Sequence, residues 1–450
     1  MPRAQKRQDH AGEALDEADF RASTADLFQR DERRKAKIPQ VVVPDNESDS
    51  DDGSESIAVT LPSVYEFCLR AEGPEGALKF SKFAPEEFEQ LWTVVYPHVK
   101  EHWNVGRGKK CRYAARYVFF MTLTTLKHLG KWDIVSRVFK IPPSSFQKMV
   151  RRFMDAASPF LYEAFVESIN DKWTLGKIVR SGHAFQNFPY ARYATDVTFQ
   201  QANKPAGNMN EIKPYYSGKH HLYGYKVEVS VLPNGLAINC TDHTGGSTHD
   251  AAIFKDNVAF HARAMRKQED DRGLRDEGRL HEVYPKDWAV LVDKGYQGMA
   301  RECRAIHPVK SKRLQPLSLE DACYNDKLAR DRVIVENFFG RLKTLWGICS
   351  DKWRFDEASY DLYFRACVAL TNVHVRLRPL RGDDGKDYSK YDARLCEIGT
   401  ELLEKQKKKR KRYQANRAAR LCTAYRRRTS YYSSVSVGSE DVDSDAETRL

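Results

Sequence analysis

The stretches WAVLVDKGY, at Trp288–Tyr296, and RVIVENFFGRLKTLWG, at Arg332–Gly347, decide the fold. The first contains a run of apolar residues that predicts a buried strand ending at Asp293, with Gly295 breaking the pattern. The second has apolar residues at a spacing that fits a largely buried helix better than a strand, and Glu336 lies inside it. Strand ends are where open α/β sheets place their chemistry.

Glu336 is predicted to share one helical face with Gly340 and Lys343, which follow it at helical spacing. This face would carry the Glu336 carboxylate, then glycine, which has no side chain, and then the Lys343 cation. Such a face could lie open to a metal and a phosphate chain. The alternative is a surface salt bridge from Glu336 to Lys343 or Arg332, with Asp293 merely capping a turn.

A third acid, Asp196, lies in the β-rich run ARYATDVTFQ. An acid on a buried strand is costly unless it has a partner. After it come the two alternating strands of YGYKVEVSVLPNGLAINCTDHTG and then GSTHDAAIFKDN, which starts like a helix. The predicted strands are Tyr193–Phe199, Tyr225–Leu232, Leu236–Asp242 and Trp288–Val292. This order predicts an α/β fold of the RNase H-like class, a mixed sheet flanked by helices.

Three acids brought together by such a fold would share a pair of divalent cations. Hard oxygen ligands suit Mg²⁺ or Mn²⁺, and two metal ions can clamp a phosphodiester displacement. If the fold brings Asp196, Asp293 and Glu336 together, the three carboxylates would suit metal-dependent phosphodiester chemistry.

From about Tyr193 to Arg378 the chain resembles transposases of the PIF/Harbinger type, nuclear DDE enzymes of eukaryotic DNA transposons, and their domesticated relatives. The resemblance rests on the Asp196 strand, KVEVSVLPNGL, GSTHDAAIF, VDKGY and RVIVENFFGRLK in the expected order. It implies that Asp196, Asp293 and Glu336 are the catalytic and metal-binding triad. His249 and Asp250 match the family's GS-x-HD motif and are expected to support the site, although a plain helix start would also fit. Val197 follows Asp196 where the family usually has glycine.

Composition favours a polyanionic partner. The 450-residue chain carries a formal net charge of +12, with a pI near 9.1. Its nine cysteines include no C-x-x-C pair, so neither a disulfide framework nor a zinc ribbon is indicated, and a reduced intracellular compartment is expected. No apolar run reaches membrane-spanning length, and residues 1–30 do not resemble a signal sequence.

Four regions are predicted along the chain. Residues 1–60 are mixed in charge, end in an acidic, serine-rich run and are expected to be disordered. Residues 61–185 have a helical pattern and form the predicted DNA-binding domain. Residues 186–380 form the predicted RNase H-like catalytic domain. Residues 381–450 are a linker, RGDDGKDYSKYD, followed by a basic tail with an acidic end.

Within the helical region, GKWDIVSRVFKIPPSSFQKMVRRFM predicts two helices with a break at Pro142 and Pro143. The second helix, capped by Ser144 or Ser145, resembles the recognition helix of a helix-turn-helix. Its polar face would place Lys148, Arg151 and Arg152 on DNA. An ordinary helical hairpin with a solvated basic face is the alternative. KKCRYAARY, Lys109–Tyr117, is a second candidate for backbone contact.

The tail from Lys405 to Arg428 contains twelve cations, among them Lys408, Lys409, Arg410 and Lys411. Such a run suits a nuclear-import signal, a DNA-binding arm or both. A solvated helix is the alternative.

Two functional hypotheses follow. One is an active metal-dependent transposase, expected to form homo-oligomers, that cuts and joins DNA at transposon ends in the nucleus. The other is a domesticated, catalytically silent nuclear DNA-binding protein, joined to a separate Myb/SANT-like partner as the resemblance allows. Retention of three clustered acids favours the first hypothesis, because clustered carboxylates are costly without a use.

Overall fold

The structure is a computed structural model that describes residues 64–107, 109–128, 132–311 and 316–436. The predicted disorder of residues 1–60 and the acidic end after residue 436 lie outside the described residues. Two compact units are present. The first contains the described residues up to Gly218 together with those of Leu222–Asp392, and the second contains Lys219–His221 and the described residues from Ala393 to Ser436.

The N-terminal part of the first unit is helical. Its helices are α1 (Val64–Glu72), α2 (Pro74–Ser81), α3 (Pro85–His102), α4 (Ala115–His128), α5 (Trp132–Val138), α6 (Pro143–Tyr162), α7 (Ser168–Lys172) and α8 (Leu175–Arg180), with a π-helical turn at Glu163–Glu167. Apolar residues recur along α6 at helical spacing, and Phe146, Val150 and Phe153 on its inner face are fully buried. This region is therefore built around aromatic packing.

The break between α5 and α6 is present, but its capping differs from the prediction. Pro142 is the N-cap residue of α6, Pro143 occupies the first helical position, and no side chain caps the helix. The expected Ser144 or Ser145 cap is therefore wrong. Proline suits this position because its fixed φ is already helical and its missing N–H would have had no partner there.

A seven-stranded mixed sheet follows. Its strands are β1 (Ala191–Gln201), β2 (Tyr216–Ser217), β3 (Leu222–Val231), β4 (Ala237–Cys240), β5 (Thr244–Gly245), β6 (Ala289–Leu291) and β7 (Ala305–Ile306). The order is β2-β3-β1-β6-β7, with β4 and β5 also pairing with β3. β1 is antiparallel to β3 and parallel to β6, so the hairpin half and the parallel half of the sheet meet at β1.

Alternation along β6 places side chains on both faces of the sheet. Ala289 and Leu291 join one hydrophobic cluster, whereas Val290 and Val292 join another. A strand that is buried on both faces has a continuous apolar sequence, which explains why the sequence signal was clear here.

Further helices are described after β1. They are α9 (Met209–Ile212), α10 (Asp250–Asp256), α11 (Val258–Met265), α12 (Leu319–Leu345), α13 (Gly347–Ser350), α14 (Tyr360–Leu377) and α15 (Gly382–Ser436). α12 packs on β1 and β3, and α14 packs on α6. The four strands predicted from the sequence all lie in one sheet, as β1, β3, β4 and β6, and the α/β fold with flanking helices is confirmed.

The helical region and the sheet share one core within the first unit. Asn372 on α14 donates hydrogen bonds of 2.7 Å to the carbonyl oxygens of Phe165 and Ala237. Ser158 on α6 donates to the carbonyl of Leu362 on α14 at 2.7 Å. Since α14 contacts both parts, the boundary predicted near residue 185 does not separate two hydrophobic cores, and it stays a prediction about function.

The predicted linker at residues 381–392 is wrong, because this segment is the start of the long helix α15. Asp384 forms a buried ion pair with Arg341 of α12, at 2.7 Å from Oδ2 to Nη2. A Cβ on Gly340 would lie 1.7 Å from the carbonyl oxygen of Asp384. Glycine at 340 thus lets the start of α15 pack directly on α12, and this tertiary contact outweighs the turn-like composition.

His374 lies beside this ion pair and should make the fold sensitive to acid. Its Nδ1 accepts a hydrogen bond from Arg341 at 3.2 Å, and burial, followed by the charges of Arg341 and Arg378, lowers its pKa from 6.5 to about 3. Below about pH 6.5 the unfolded chain binds a proton that the folded chain excludes. The stabilisation present above that pH is therefore lost as the pH falls toward 3.

Glutamine at position 374 cannot titrate. Between pH 6.5 and about 4, we expect the free energy of unfolding to fall by about 3 kcal/mol less in His374→Gln than in the wild type. Denaturant unfolding over a pH series measures this difference. His249→Gln, at an exposed position, is the control. Parallel pH curves for wild type and His374→Gln would contradict the assignment.

None of the helices in the described part of the chain combines the length and apolar character that crossing a membrane requires.

Candidate active site

Asp196 and Asp293 are brought side by side by the pairing of two parallel strands. Ala194 of β1 is in register with Leu291 of β6, and continuing that register by two residues sets Asp196 next to Asp293. Asp196 lies within β1, opposite Val229 of β3, while Asp293 follows β6 and begins the 3-10 turn Lys294–Tyr296. The sheet itself therefore creates the acidic pair.

A single guanidinium group bridges the two acids. Arg332 of α12 donates from Nη1 to Asp293 Oδ1 at 3.0 Å and from Nη2 to Asp196 Oδ2 at 3.1 Å. Its side chain is only 10% exposed. Both carboxylates thus pair with one cation, in a site partly shielded from water.

The electrostatics of Asp196 reflect this crowding. Burial raises its pKa to about 7, the Arg332 charge opposes that rise, and the neighbouring Asp293 and Asp250 carboxylates add to it. A carboxyl group held among other acids in a protected site resists ionisation unless a cation is near. Ionisation of Asp196 therefore depends on an accompanying positive charge.

Glu336 stands four residues after Arg332 on α12, so both side chains lie on the same face of the helix. It is half-buried. Because α12 packs on β1, this face of the helix is the one that delivers Arg332 to the two aspartates. The structure thus places the third predicted acid one helical turn from the bridging guanidinium.

Asp250 lies at the start of α10, close to the turn that follows Asp293. Its carboxylate pairs with Lys226 of β3 at 3.0 Å, and a Cβ on Gly295 would lie 3.2 Å from Asp250 Oδ2. Gly295 therefore allows the carboxylate to approach the turn closely. His249 is exposed and is the N-cap residue of α10, with no side-chain capping bond.

The expected open face at Gly340 and Lys343 is wrong. Lys343 is buried, donates to the carbonyl of Cys349 at 2.8 Å and lies over the rings of Phe364 and Tyr391. Burial lowers its pKa to about 8. The start of α15 covers this part of α12, so Lys343 supports packing and does not face a phosphate chain.

A buried polar network behind the sheet was missed by the sequence reasoning. Glu228 of β3 accepts from His261 at 2.9 Å and from the hydroxyl of Tyr296 at 3.2 Å, and both partners are fully buried. His261 also meets the hydroxyl of Tyr193 at 2.9 Å. Tyr296 ends the turn that begins at Asp293, so this network fixes the turn to β3. The acid at Glu228 within the alternating strand KVEVSV was the available signal.

The predicted DNA-binding cations are distributed over different surfaces. Lys148 and Arg152 are exposed on α6, whereas Arg151 forms an ion pair with Asp356 at 3.2 Å. In the second unit, every described side chain from residue 404 to 426 is exposed, including Lys408, Lys409, Arg410 and Lys411. These positions are accessible to a polyanion, but the DNA contacts stay a prediction.

Similarity to known proteins is concentrated in the segment that holds the site. Residues 195–372 match the family model described as DDE superfamily endonuclease. The matched segment contains Asp196, Asp293 and Glu336. The chain is also 24% identical over 184 residues to a probable transposase for insertion sequence element IS702 from Microchaete diplosiphon.

That alignment covers 41% of this chain and 57% of the relative, so the chain spans little more than half of the relative's length. No solved structure matches the chain at a significant level. In its fold, its acid pair and its matched segment, the chain is similar to DDE superfamily endonucleases.

Proposed function

We propose that this protein is a divalent-metal-dependent DNA endonuclease and strand transferase of the PIF/Harbinger transposase type, acting at transposon ends. The observation that carries the proposal is the convergence of Asp196 and Asp293 on one cation, with Glu336 on the same helical face as that cation. The match of residues 195–372 to DDE superfamily endonucleases supports the reaction class.

The residues present fit a metal site. Asp196, Asp293 and Glu336 offer carboxylate oxygens, the donors that Mg²⁺ and Mn²⁺ prefer, and the bridging position of Arg332 shows that a positive charge is accommodated between two of them. Two such ions held there would supply activation of water and then of a 3′ hydroxyl, with stabilisation of the leaving oxygen.

The protein's own residues orient the three acids and support the site around them. Asp196 and Asp293 are oriented by adjacent strands, and Glu336 is carried by a helix packed on those strands. Tyr296, held by Glu228, fixes the turn after Asp293. Lys226 neutralises Asp250, so that carboxylate supports the site from the side instead of joining the acidic pair.

The test is strand cleavage of duplex DNA that carries the element's own flanking repeats. Mg²⁺ or Mn²⁺ should produce cuts at the repeat ends, and EDTA should abolish them. Absence of metal-dependent cleavage of this substrate by the purified wild-type protein would overturn the proposal.

The cellular setting forms part of the same proposal. The protein acts in the nucleus, assembles as a homo-oligomer on transposon ends and works with a Myb/SANT-like partner. The basic run from Lys405 to Arg428 supports nuclear import, and the net charge of +12 supports a nucleic-acid partner.

Removal of residues 405–450 should weaken DNA binding for all sequences alike. The slope of log affinity against log salt should flatten by roughly 0.9 for each phosphate that the tail neutralises in the wild type. Binding titrations over a salt series measure the slope, and a fluorescent fusion measures nuclear accumulation, which should also fall. A chain lacking only residues 437–450 is the control, since it keeps the basic run. Unchanged salt dependence together with unchanged localisation would count against a role for the tail.

A further inference from the structure

A cleft of about 1210 Å³ opens in the helical region, between the end of α3, residues 103–107 and 109–113, and α6. Only one acid, Asp155, is among its lining residues, against six cations. The cations are Arg107, Lys109, Lys110, Arg112, Lys148 and Arg152. We call this surface the basic cleft. Its volume exceeds the usual range of about 300–1,000 Å³ for small-molecule pockets, and those are mostly apolar.

One wall of the basic cleft is shaped by its own hydrogen bonds. Asn104 closes a loop onto Cys111, accepting from its backbone N–H at 2.7 Å and donating to its carbonyl at 3.2 Å. Lys110 donates to the carbonyls of Asn104 and Gly106 at 2.8 and 2.7 Å. Lys110 is thus engaged in hydrogen bonds within its own segment, which leaves Arg107 and Lys109 as the exposed cations beside it.

Four cations of the basic cleft are uncompensated. Arg107, Lys109, Lys148 and Arg152 are exposed, and among the described residues they make neither a hydrogen bond nor an ion pair. Lys148 and Arg152 stand one turn apart on α6 and share a face. Arg151, between them in sequence, is different because Asp356 neutralises it. Like charges gathered in a concave surface attract a polyanion and repel one another without it.

We infer that the basic cleft binds the phosphate backbone of duplex DNA without reading its bases. This inference rests on the proposed function for the choice of DNA as the polyanion. Cations from two separate elements, the hydrogen-bonded segment around Asn104 and Lys110 and one face of α6, can hold phosphates between them. Lys148 and Arg152 face the cleft, whereas Arg151 is paired with Asp356. This difference favours the backbone role over insertion of α6 into the major groove, which would place all three cations on bases.

The test is DNA binding by the full chain in EDTA, so that it is independent of cleavage. The variant combines Arg107→Gln, Lys109→Gln, Lys148→Gln and Arg152→Gln, and fluorescence anisotropy is followed over a KCl series with two duplexes of unrelated sequence. We expect affinity for both duplexes to fall equally, by about tenfold or more near 0.1 M salt. The salt slope should flatten by about 3 to 4, at roughly 0.9 per neutralised phosphate. Arg151→Gln is the matched control and should bind within about twofold of the wild type.

The following results would overturn the inference. Unchanged affinity and slope would show that the basic cleft does not contact DNA, and a weakening confined to one duplex would show base reading. Tighter binding to an RNA duplex than to DNA would assign another ligand. Displacement of DNA by inorganic phosphate beyond that by chloride at equal ionic strength would do the same.

A photo-crosslinking residue at exposed Ser145, which lines the cleft, should label DNA. If the wild type fails to cleave but the variant loses binding, the nuclease proposal fails and the cleft assignment stands.

Discussion

Asp293→Asn should abolish strand cleavage, reducing the rate by about a thousandfold or more, which corresponds to roughly 4 kcal/mol of activation free energy. The change keeps the shape of the side chain and its ability to accept from Arg332, but it removes a charge needed to hold divalent cations. Asp196→Asn and Glu336→Gln should have effects of the same size for the same reason. Single-turnover cleavage of end-bearing duplex in Mg²⁺ measures the rate.

DNA binding should be largely intact in all three variants, because the cations of the basic cleft lie on other elements of the chain. Asp250→Asn is the matched control within the site. Asp250 pairs with Lys226 and makes no bond to Arg332, so its variant should cleave more slowly than the wild type but faster than the other three. If Asp293→Asn cleaved at the normal rate with Mg²⁺, the assignment of this triad would be wrong.

The acid pair could be predicted from sequence because its geometry follows from strand pairing. An acid inside the first strand and an acid at the end of the later apolar run come together once β1 and β6 are parallel neighbours. Periodicity detects such strands directly, since β6 is apolar on both faces and β3 alternates apolar with polar residues. The strands and the acids they carry could be predicted because each depends on the local pattern of apolar and polar residues.

What could not be predicted depends on contacts between distant segments. Lys343 and Arg341 look like exposed cations of a helix, yet the start of α15 buries both. The composition of residues 381–392 is that of a turn, but the segment is helical and packs closely against Gly340 through Asp384. The bridging role of Arg332 likewise needs the sheet and α12 to be placed together before it can be recognised. Helical spacing alone offered only a salt bridge to Glu336.

Arg332→Met should make divalent cations bind more tightly to the protein. In the wild-type structure the guanidinium lies between Asp196 and Asp293, so a metal that uses both carboxylates has to displace two charge-assisted hydrogen bonds. Methionine fills similar space without charge, and its two neighbouring carboxylates then repel each other until a cation arrives. We expect Mn²⁺ affinity to rise by about tenfold or more, and the metal-free protein to be less stable than the wild type.

Calorimetric titration with Mn²⁺ measures this affinity without relying on cleavage. Titrations near pH 9, about two units above the Asp196 pKa of about 7, keep that carboxylate ionised in the wild type. Lys226→Met is the matched control, because Lys226 pairs with an acid of the same site but makes no bond to Asp196 or Asp293. Its Mn²⁺ affinity should change much less. Weaker Mn²⁺ binding by Arg332→Met would mean that the guanidinium positions the two aspartates for the metal; tighter binding would mean that it competes with the metal for them.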